Sequence, residues 1–421
     1  MDNQQVDCGC DTIPQSLLSI DEALEILINS AKVTNSAQLI ELDNALNRML
    51  AVDIHANISV PSFDNSAMDG YVINLKENQI NTPSGLAFEI TDRIPAGSTG
   101  NALAPGYAAR IFTGAPIPKG ANTVLMQEEC ELIENKSKIE VYRPISLGEN
   151  IRPMGNDIQS GDIILPKGKQ LQPQDIALAA SVGIDKLKVF HKIKVGVFFT
   201  GDELVKPGNT LQQGQIFNSN RYSLVALLNK LSCEVVNLGN IKDTFNATCD
   251  ALEVLKSDCN LIITTGGVSV GEEDYIKPAV KKLGQLNLWR IKIKPGNPLT
   301  FGSVGRCAFI GLPGNPVSAM VTFLLFARPF IKKMQGASHY LNTTFKTQAN
   351  FDWYKPKPRR EFVRVRLDYT TFPTKANLYP KQGSDVLSSM VWADGLIEIP
   401  EKTTFKRGEV LNFYPLNEML S

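Results

Sequence analysis

Asn260-Leu261-Ile262-Ile263-Thr264-Thr265-Gly266-Gly267-Val268-Ser269-Val270-Gly271-Glu272-Glu273-Asp274 sets the architecture of the chain. A short apolar run ends in a polar, glycine-rich turn, and the turn leads into helical spacing from Asp274 to Leu283. An apolar run of that length, bounded by turn residues, reads as a buried strand. The same grammar recurs on either side. Lys194-Val195-Gly196-Val197-Phe198-Phe199 runs into Thr200-Gly201-Asp202-Glu203, and Cys307-Ala308-Phe309-Ile310-Gly311 runs into Leu312-Pro313-Gly314-Asn315-Pro316. Between them, Glu234 to Leu238 reads as a strand, and Asn220 to Leu231, Ala247 to Lys256 and Val317 to Lys333 read as helices. This alternation predicts a doubly wound parallel sheet covered on both faces, with ligands bound beyond the carboxyl ends of its strands.

That rim carries the chemistry. Glycines let backbone N–H groups approach an anion, and each turn leads toward a helix N-terminus, where the dipole favours negative charge. Three such turns on one rim predict an anionic-ligand site, although any one of them alone is an ordinary connection. Asp202, Glu203, Asp243 and Asp274 share the rim. Carboxylates beside a phosphate site repel the ligand unless a cation lies between, and Mg²⁺ is the usual cation. Arg290, Lys292 and Lys294 alternate in Trp289-Arg290-Ile291-Lys292-Ile293-Lys294-Pro295-Gly296 and would share one strand face. From spacing alone they are equally a phosphate clamp or a solvated edge.

Outward from this core the pattern changes. Ser19-Ile20-Asp21-Glu22 fits a capping box opening a helix through Leu24, Leu27, Ile28 and Ala31. Ala37 to Leu50 reads as a second helix. From Asp53 to about Val141, short apolar runs broken by Gly and Pro predict an all-β module. Pro173 opens a further helix that Gly183 stops, and it is expected to pack on the first helix. The β module is then an insertion into a helical region. Gly336 closes the last long helix, and the remainder returns to short strands such as Glu361 to Leu367, a small barrel or sandwich. The predicted division is 1–57 with 147–190 (helical), 58–146 (inserted β), 191–336 (α/β) and 337–421 (small β-barrel).

Composition narrows the function classes. Lys plus Arg is 43 and Asp plus Glu is 43, so no whole-chain charge draws nucleic acid or an anionic membrane. No apolar run reaches a membrane span, and the first residues lack the pattern of a secretory signal. Seven cysteines, an odd number, make no disulfide framework and suit a reducing cytoplasm. Cys130, Cys233, Cys259 and Cys307 read as small buried hydrophobes, and Cys8-Gly-Cys10 as a frayed terminus. Three histidines without ligand spacing argue against a zinc hydrolase.

Seven strings together resemble the MoeA family of molybdopterin molybdotransferases, which includes the E domain of gephyrin. They are PSFDNSAMDGY at 61–71, RIFTGAPIPKGANTVLMQEE at 110–129, ENIRPMGNDI at 149–158, TGDEL at 200–204, TTGGVSVGEEDY at 264–275, IKIKPGNP at 291–298 and GLPGNPVSA at 311–319. The resemblance covers the chain from about Leu17 onward. It implies transfer of molybdenum from molybdate onto adenylylated molybdopterin, with Mg²⁺ and release of AMP. It also implies a homodimer whose site lies between the α/β domain of one subunit and the β module of the other, and a molybdopterin adenylyltransferase as pathway partner.

By matching positions, the resemblance makes Asp69, Thr113, Asp157, Glu203, Asp243 and Asp274 catalytic, with Glu203, Asp243 and Asp274 holding the metal. Substrate-binding positions are Arg152, Thr200, Gly201, Asp202, Gly266, Gly267, Ser269, Gly271, Arg290, Lys294, Pro313, Gly314, Asn315 and Pro316. Two positions depart from the family pattern. Arg290 stands where many members have lysine, replacing a compact ammonium by a planar fork. Asn297 also replaces a lysine and removes a charge. Those two favour an alternative, a non-catalytic molybdopterin-binding or scaffold paralogue; the retained acids favour the enzyme.

Overall fold

The computed structural model describes residues 17–34, 36–80, 82, 85–267, 275–297 and 299–420. At its centre is a six-stranded sheet in the order Glu234–Ile241, Lys194–Thr200, Leu261–Thr265, Cys307–Leu312, Leu299–Val304, Gly284–Trp289. The first four strands are parallel. The last two are antiparallel, so the sheet is mixed rather than wholly parallel. The reason is local: only Gly305 and Arg306 separate Val304 from Cys307, and a parallel crossover needs a dozen residues or more.

Alternation along each strand divides the core. Val195, Val197, Phe199, Leu261, Ile263, Ile310 and Leu312 face helices Ile20–Ser30 and Ser219–Lys230 and the long helical run from Pro316. Phe198, Ile262 and Phe309 face helices Phe245–Lys256 and Ile276–Leu283 on the other side. The long run, Pro316 to Met334, contains a π-helical stretch at Phe323–Ala327 just before Pro329. A proline cannot donate to the preceding turn, so the ladder must rearrange there. Gly336, at φ +85°, ends the run as expected.

The capping box at Ser19 forms as its sequence predicts: Glu22 N–H donates to Ser19 Oγ at 3.2 Å and Ser19 N–H to Glu22 Oε2 at 2.8 Å. The helix it opens packs on the α/β core. Helix Pro173–Ser181 instead buries Ala179 with Leu50, Leu165, Leu171 and Leu187, so the two helices do not share a core as expected. The expected helix from Ala37 to Leu50 is a strand, Ala37–Glu41, paired with Lys186–Phe190, followed by a single 3₁₀ turn. Pairing with a partner distant in sequence overrides the helical spacing of its leucines.

The β module is a six-stranded sheet in the order Thr123–Met126, Gly70–Ile73, Tyr107–Ile111, Leu86–Ile94, Lys138–Val141, Glu131–Ile133. The chain enters and leaves it through two short ribbons, Ile54–His55 with Ile163–Leu165 and Asn65–Ser66 with Ile151–Arg152. At the C-terminal end, Arg360–Asp368, Lys375–Leu378, Phe345–Ala349, Val410–Pro415 and Gly395–Ile399 close into a five-stranded barrel. Ile293–Lys294 adds to Arg360–Glu361 and ties the barrel to the α/β core. Cys233, Cys249, Cys259 and Cys307 are buried free thiols, and Cys130 is partly buried. Burial pushes the Cys233 and Cys307 thiols up to about 12. Among the described residues no helix is long and apolar enough to cross a membrane.

Candidate active site

The strand order places Lys194–Thr200 beside Leu261–Thr265 where the winding reverses, and a cavity of about 400 Å³ opens at that point. The lining comes from all three glycine-rich turns: Thr200 and Glu203, then Thr265, Gly266 and Gly267, then Pro313, Gly314 and Asn315. Asn220 and Asn297 complete its polar wall, and Leu204 and Ile216 its apolar one.

Each turn has a physical reason for its composition. Gly201 sits at φ +141°, and a Cβ there would lie 2.6 Å from Glu203 Oε2. Only glycine leaves the Glu203 carboxylate where it stands. A Cβ on Gly314 would lie 3.6 Å from Gly266 Cα, so the second and third turns nearly touch at backbone level. Pro316 opens the helix that follows the third turn, and Asn315 reaches the barrel through Ser384 Oγ at 3.1 Å.

The polar groups are held from behind. Buried Thr200 donates through Oγ1 to Asp243 Oδ1 at 2.6 Å, fixing that carboxylate at the rim. Asn220 Nδ2 donates to the Gly314 carbonyl at 2.7 Å and to Thr265 Oγ1 at 3.4 Å. Its Oδ1 is buried without a hydrogen-bond partner, and so is Asn297 Oδ1. Unpaired buried acceptors are costly, so two in one cavity wall mark places where a ligand donor fits. Asn220 was not singled out from sequence; its one signal is position, a polar residue just inside a helix that starts on the same rim.

Asp202 is exposed and does not line the cavity. Arg290, Lys292 and Lys294 alternate with buried Ile291 and Ile293 as expected, although only Ile293–Lys294 is a strand. None of the three lines the cavity. Arg290 is exposed, while Lys294 Nζ pairs at 3.2 Å with Glu361, a buried barrel carboxylate also met by Lys357 at 3.4 Å. Ser269, Gly271 and Asp274 lie outside the described residues. Glu203 and Asp243 offer hard oxygen donors of the type Mg²⁺ takes. Among the described residues no three His, Cys, Asp or Glu side chains gather as a metal group, and Asp274, the third predicted ligand, is not one of those residues.

A second cluster stands on the β module. Asp69 Oδ1 accepts from Thr113 N–H at 2.8 Å and from Thr113 Oγ1 at 2.7 Å. These two bonds hold the exposed Asp69 carboxyl below the usual carboxylate range. Ser66 N–H bonds the Ala115 carbonyl, and Asn65–Ser66 pairs with Ile151–Arg152. The three polar strings of the module therefore converge on one another. Arg152 and Asp157 are both exposed. None of Asp69, Thr113, Arg152 or Asp157 lines the rim cavity of the same chain.

Three family models match the chain in order: the MoeA N-terminal region (domain I and II) over 18–183, a probable molybdopterin binding domain over 196–333, and the MoeA C-terminal region (domain IV) over 346–416. The chain belongs to the MoeA family. It is 38% identical over 411 residues to a molybdopterin molybdenumtransferase of Haemophilus influenzae, covering 96% of this chain and 100% of the relative. A molybdopterin molybdenumtransferase of Nostoc is 33% identical, over 82% of this chain and 80% of its own. The crystal structure of a molybdopterin biosynthesis MoeA protein from Pyrococcus horikoshii matches with a TM-score of 0.80 at 30% identity, covering 95% of this chain and all of that one (100%). The MoeA match spans the rim turns, the β module and the barrel alike.

Proposed function

We propose that this MoeA-family chain is a molybdopterin molybdenumtransferase: it takes adenylylated molybdopterin and molybdate and releases AMP and molybdenum cofactor. The observation that carries the reading is the rim cavity, lined by Glu203 and the glycine-rich turns, with Asp243 held just outside that lining by Thr200, in a chain matched along its length by relatives of that name.

Glu203, Asp243 and Asp274 would hold Mg²⁺, which neutralises charge on phosphoryl oxygens when bound. The chain's own residues do the rest. The Gly266-Gly267 and Pro313-Gly314 backbones admit an anion close to the sheet end. Thr200 keeps Asp243 from turning away. Asn220 and Asn297 offer acceptors to ligand N–H groups. Asp69 stays ionised at neutral pH, so it orients a cation or hydrogen-bond donor and is a weak proton acceptor. Arg152, Asp157 and Thr113 stand with it in the second half of the site, which closes against the rim of a partner subunit in a homodimer. Lys294 is screened by Glu361 and acts through the barrel connection. An adenylyltransferase supplies the activated substrate, and the buried thiols suit a reducing cytoplasm.

The experiment is AMP release from adenylylated molybdopterin by the purified protein with molybdate and Mg²⁺. Release that requires both is expected, and Asp243→Asn should abolish it. Binding of molybdopterin without any release would favour the non-catalytic paralogue, to which the uncharged Asn297 points.

A further inference from the structure

Three strands of the β module set Tyr71, Arg110 and Arg93 side by side. Tyr71 and Arg110 are antiparallel partners, and Arg110 and Arg93 are parallel partners. Phe112 lies two residues beyond Arg110, so it shares that face. Both guanidinium carbons lie over its ring, Arg93 at 4.7 Å and Arg110 at 5.0 Å from the centroid. Arg110 also lies 5.0 Å from the centroid of Tyr71.

Like charges on directly paired residues are destabilising. A carboxylate between them would relieve this, yet neither arginine has a carboxylate oxygen within the 4.0 Å of an ion pair among the described residues. Arg110 donates to the neutral Gln127 amide instead. The acids nearby take their hydrogen bonds elsewhere, Asp69 from Thr113, Glu128 from Gln127, and Asp92 from Asn101 and the backbone N–H of Arg93; Asp69 and Glu128 feel Arg110 only as a charge beyond ion-pair distance. Stacking on an aromatic ring fixes a guanidinium plane while leaving its N–H edge open to donate, and Arg110 spends only Nη2 on Gln127. Strand register makes the two arginines neighbours, and two such edges match a group with several anionic oxygens. The pair stands beside the second half-site, because Thr113 follows Phe112 and Asp69 precedes Gly70-Tyr71.

We propose that Arg93 and Arg110, stacked on Phe112, form a phosphoryl-binding platform on the β module, taking the phosphate of an adenylate. The identity of the phosphate bearer rests on the transferase reading; the platform itself rests on strand register and unpaired charge.

Equilibrium dialysis of the full-length protein with AMP and with adenosine tests it, because only AMP carries the phosphate. The wild type should prefer AMP. Arg93→Gln and Arg110→Gln should each cut that preference about tenfold, leaving adenosine binding unchanged. Arg110→Lys, which keeps the charge but loses the planar fork, should lose part of the preference. Thermal unfolding should stay the same or rise in the Gln variants, since a repulsion is removed. A preference unchanged in both Gln variants, or no preference in the wild type, would overturn the proposal. Absence of AMP release beside an intact, arginine-dependent preference would count against the transferase reading alone.

Discussion

The rim cavity and the Asp69 cluster are built from the same pair of residue types in opposite settings. In each, a threonine hydroxyl donates to an aspartate, Thr200 to Asp243 at 2.6 Å and Thr113 to Asp69 at 2.7 Å. Thr200 is buried at the end of a central strand, with helices packed on both faces of the sheet. Thr113 lies in an exposed turn beyond a module whose stem is two short ribbons. A parallel sheet end makes a walled cavity by itself, because its strands stop together and their turns converge. An exposed carboxylate on a ribbon-mounted module has only one wall. The contrast is the one the proposed shared site requires, an open second cluster completed by another surface.

Substitutions in each half break or sharpen this contrast. The largest effect should come from the walled half: Asp243→Asn should lower AMP release more than about 100-fold if Asp243 holds the metal as proposed. Single-turnover measurements check it. Gly201→Ala should cost about 1–3 kcal/mol in denaturant unfolding, because alanine is strained at positive φ and its Cβ meets Glu203. Activity should fall with it as the carboxylate is displaced.

In the open half, Thr113→Val removes one of two bonds to Asp69, and turnover should fall about tenfold. The Asp69 pKa should rise part of the way back toward 3.8, read by NMR titration. The sign follows from linkage. A carboxyl whose folded pKa is lowered adds stability that is complete above its unfolded value and lost as pH falls through the folded one. In the variant the contribution is smaller, and its loss is complete at a higher pH. The smallest effect belongs to Asn297→Lys, which restores a cation to the cavity wall and should tighten molybdate binding severalfold.

Much of the walled half was legible because its signals are local. Phe199, Ile263 and Ile310 each mark the point where an apolar run becomes a polar turn, and the topology rule supplies the rest. The Gly305-Arg306 hairpin was equally local but was hidden by the alternation around it, so the sheet's antiparallel edge was missed. Ala37–Glu41 failed for another reason. Leu39, Leu42, Leu46 and Leu50 keep helical spacing, and only the distant partner Lys186–Phe190 makes Ala37–Glu41 a strand. The open half was readable as motifs but not as a place. Nothing in the spacing of Asp69, Thr113 and Arg152 says that their strings meet: a ribbon pairs Arg152 with Asn65, and a hydrogen bond joins Thr113 to Asp69. Asn220 carried no motif at all, and its role depends on a hydrogen bond to Gly314 from a different connection.

Mixing inactive protomers tests the shared site most directly. Asp69→Asn and Asp243→Asn chains are each inactive alone if both halves are needed. Unfolded and refolded together, half of the dimers would be mixed, and each mixed dimer would hold one intact site between the sound β module of one chain and the sound rim of the other. Recovery of about one quarter of wild-type AMP release is the predicted result. No recovery, with mixed dimers shown to form, would mean that each chain completes its own site.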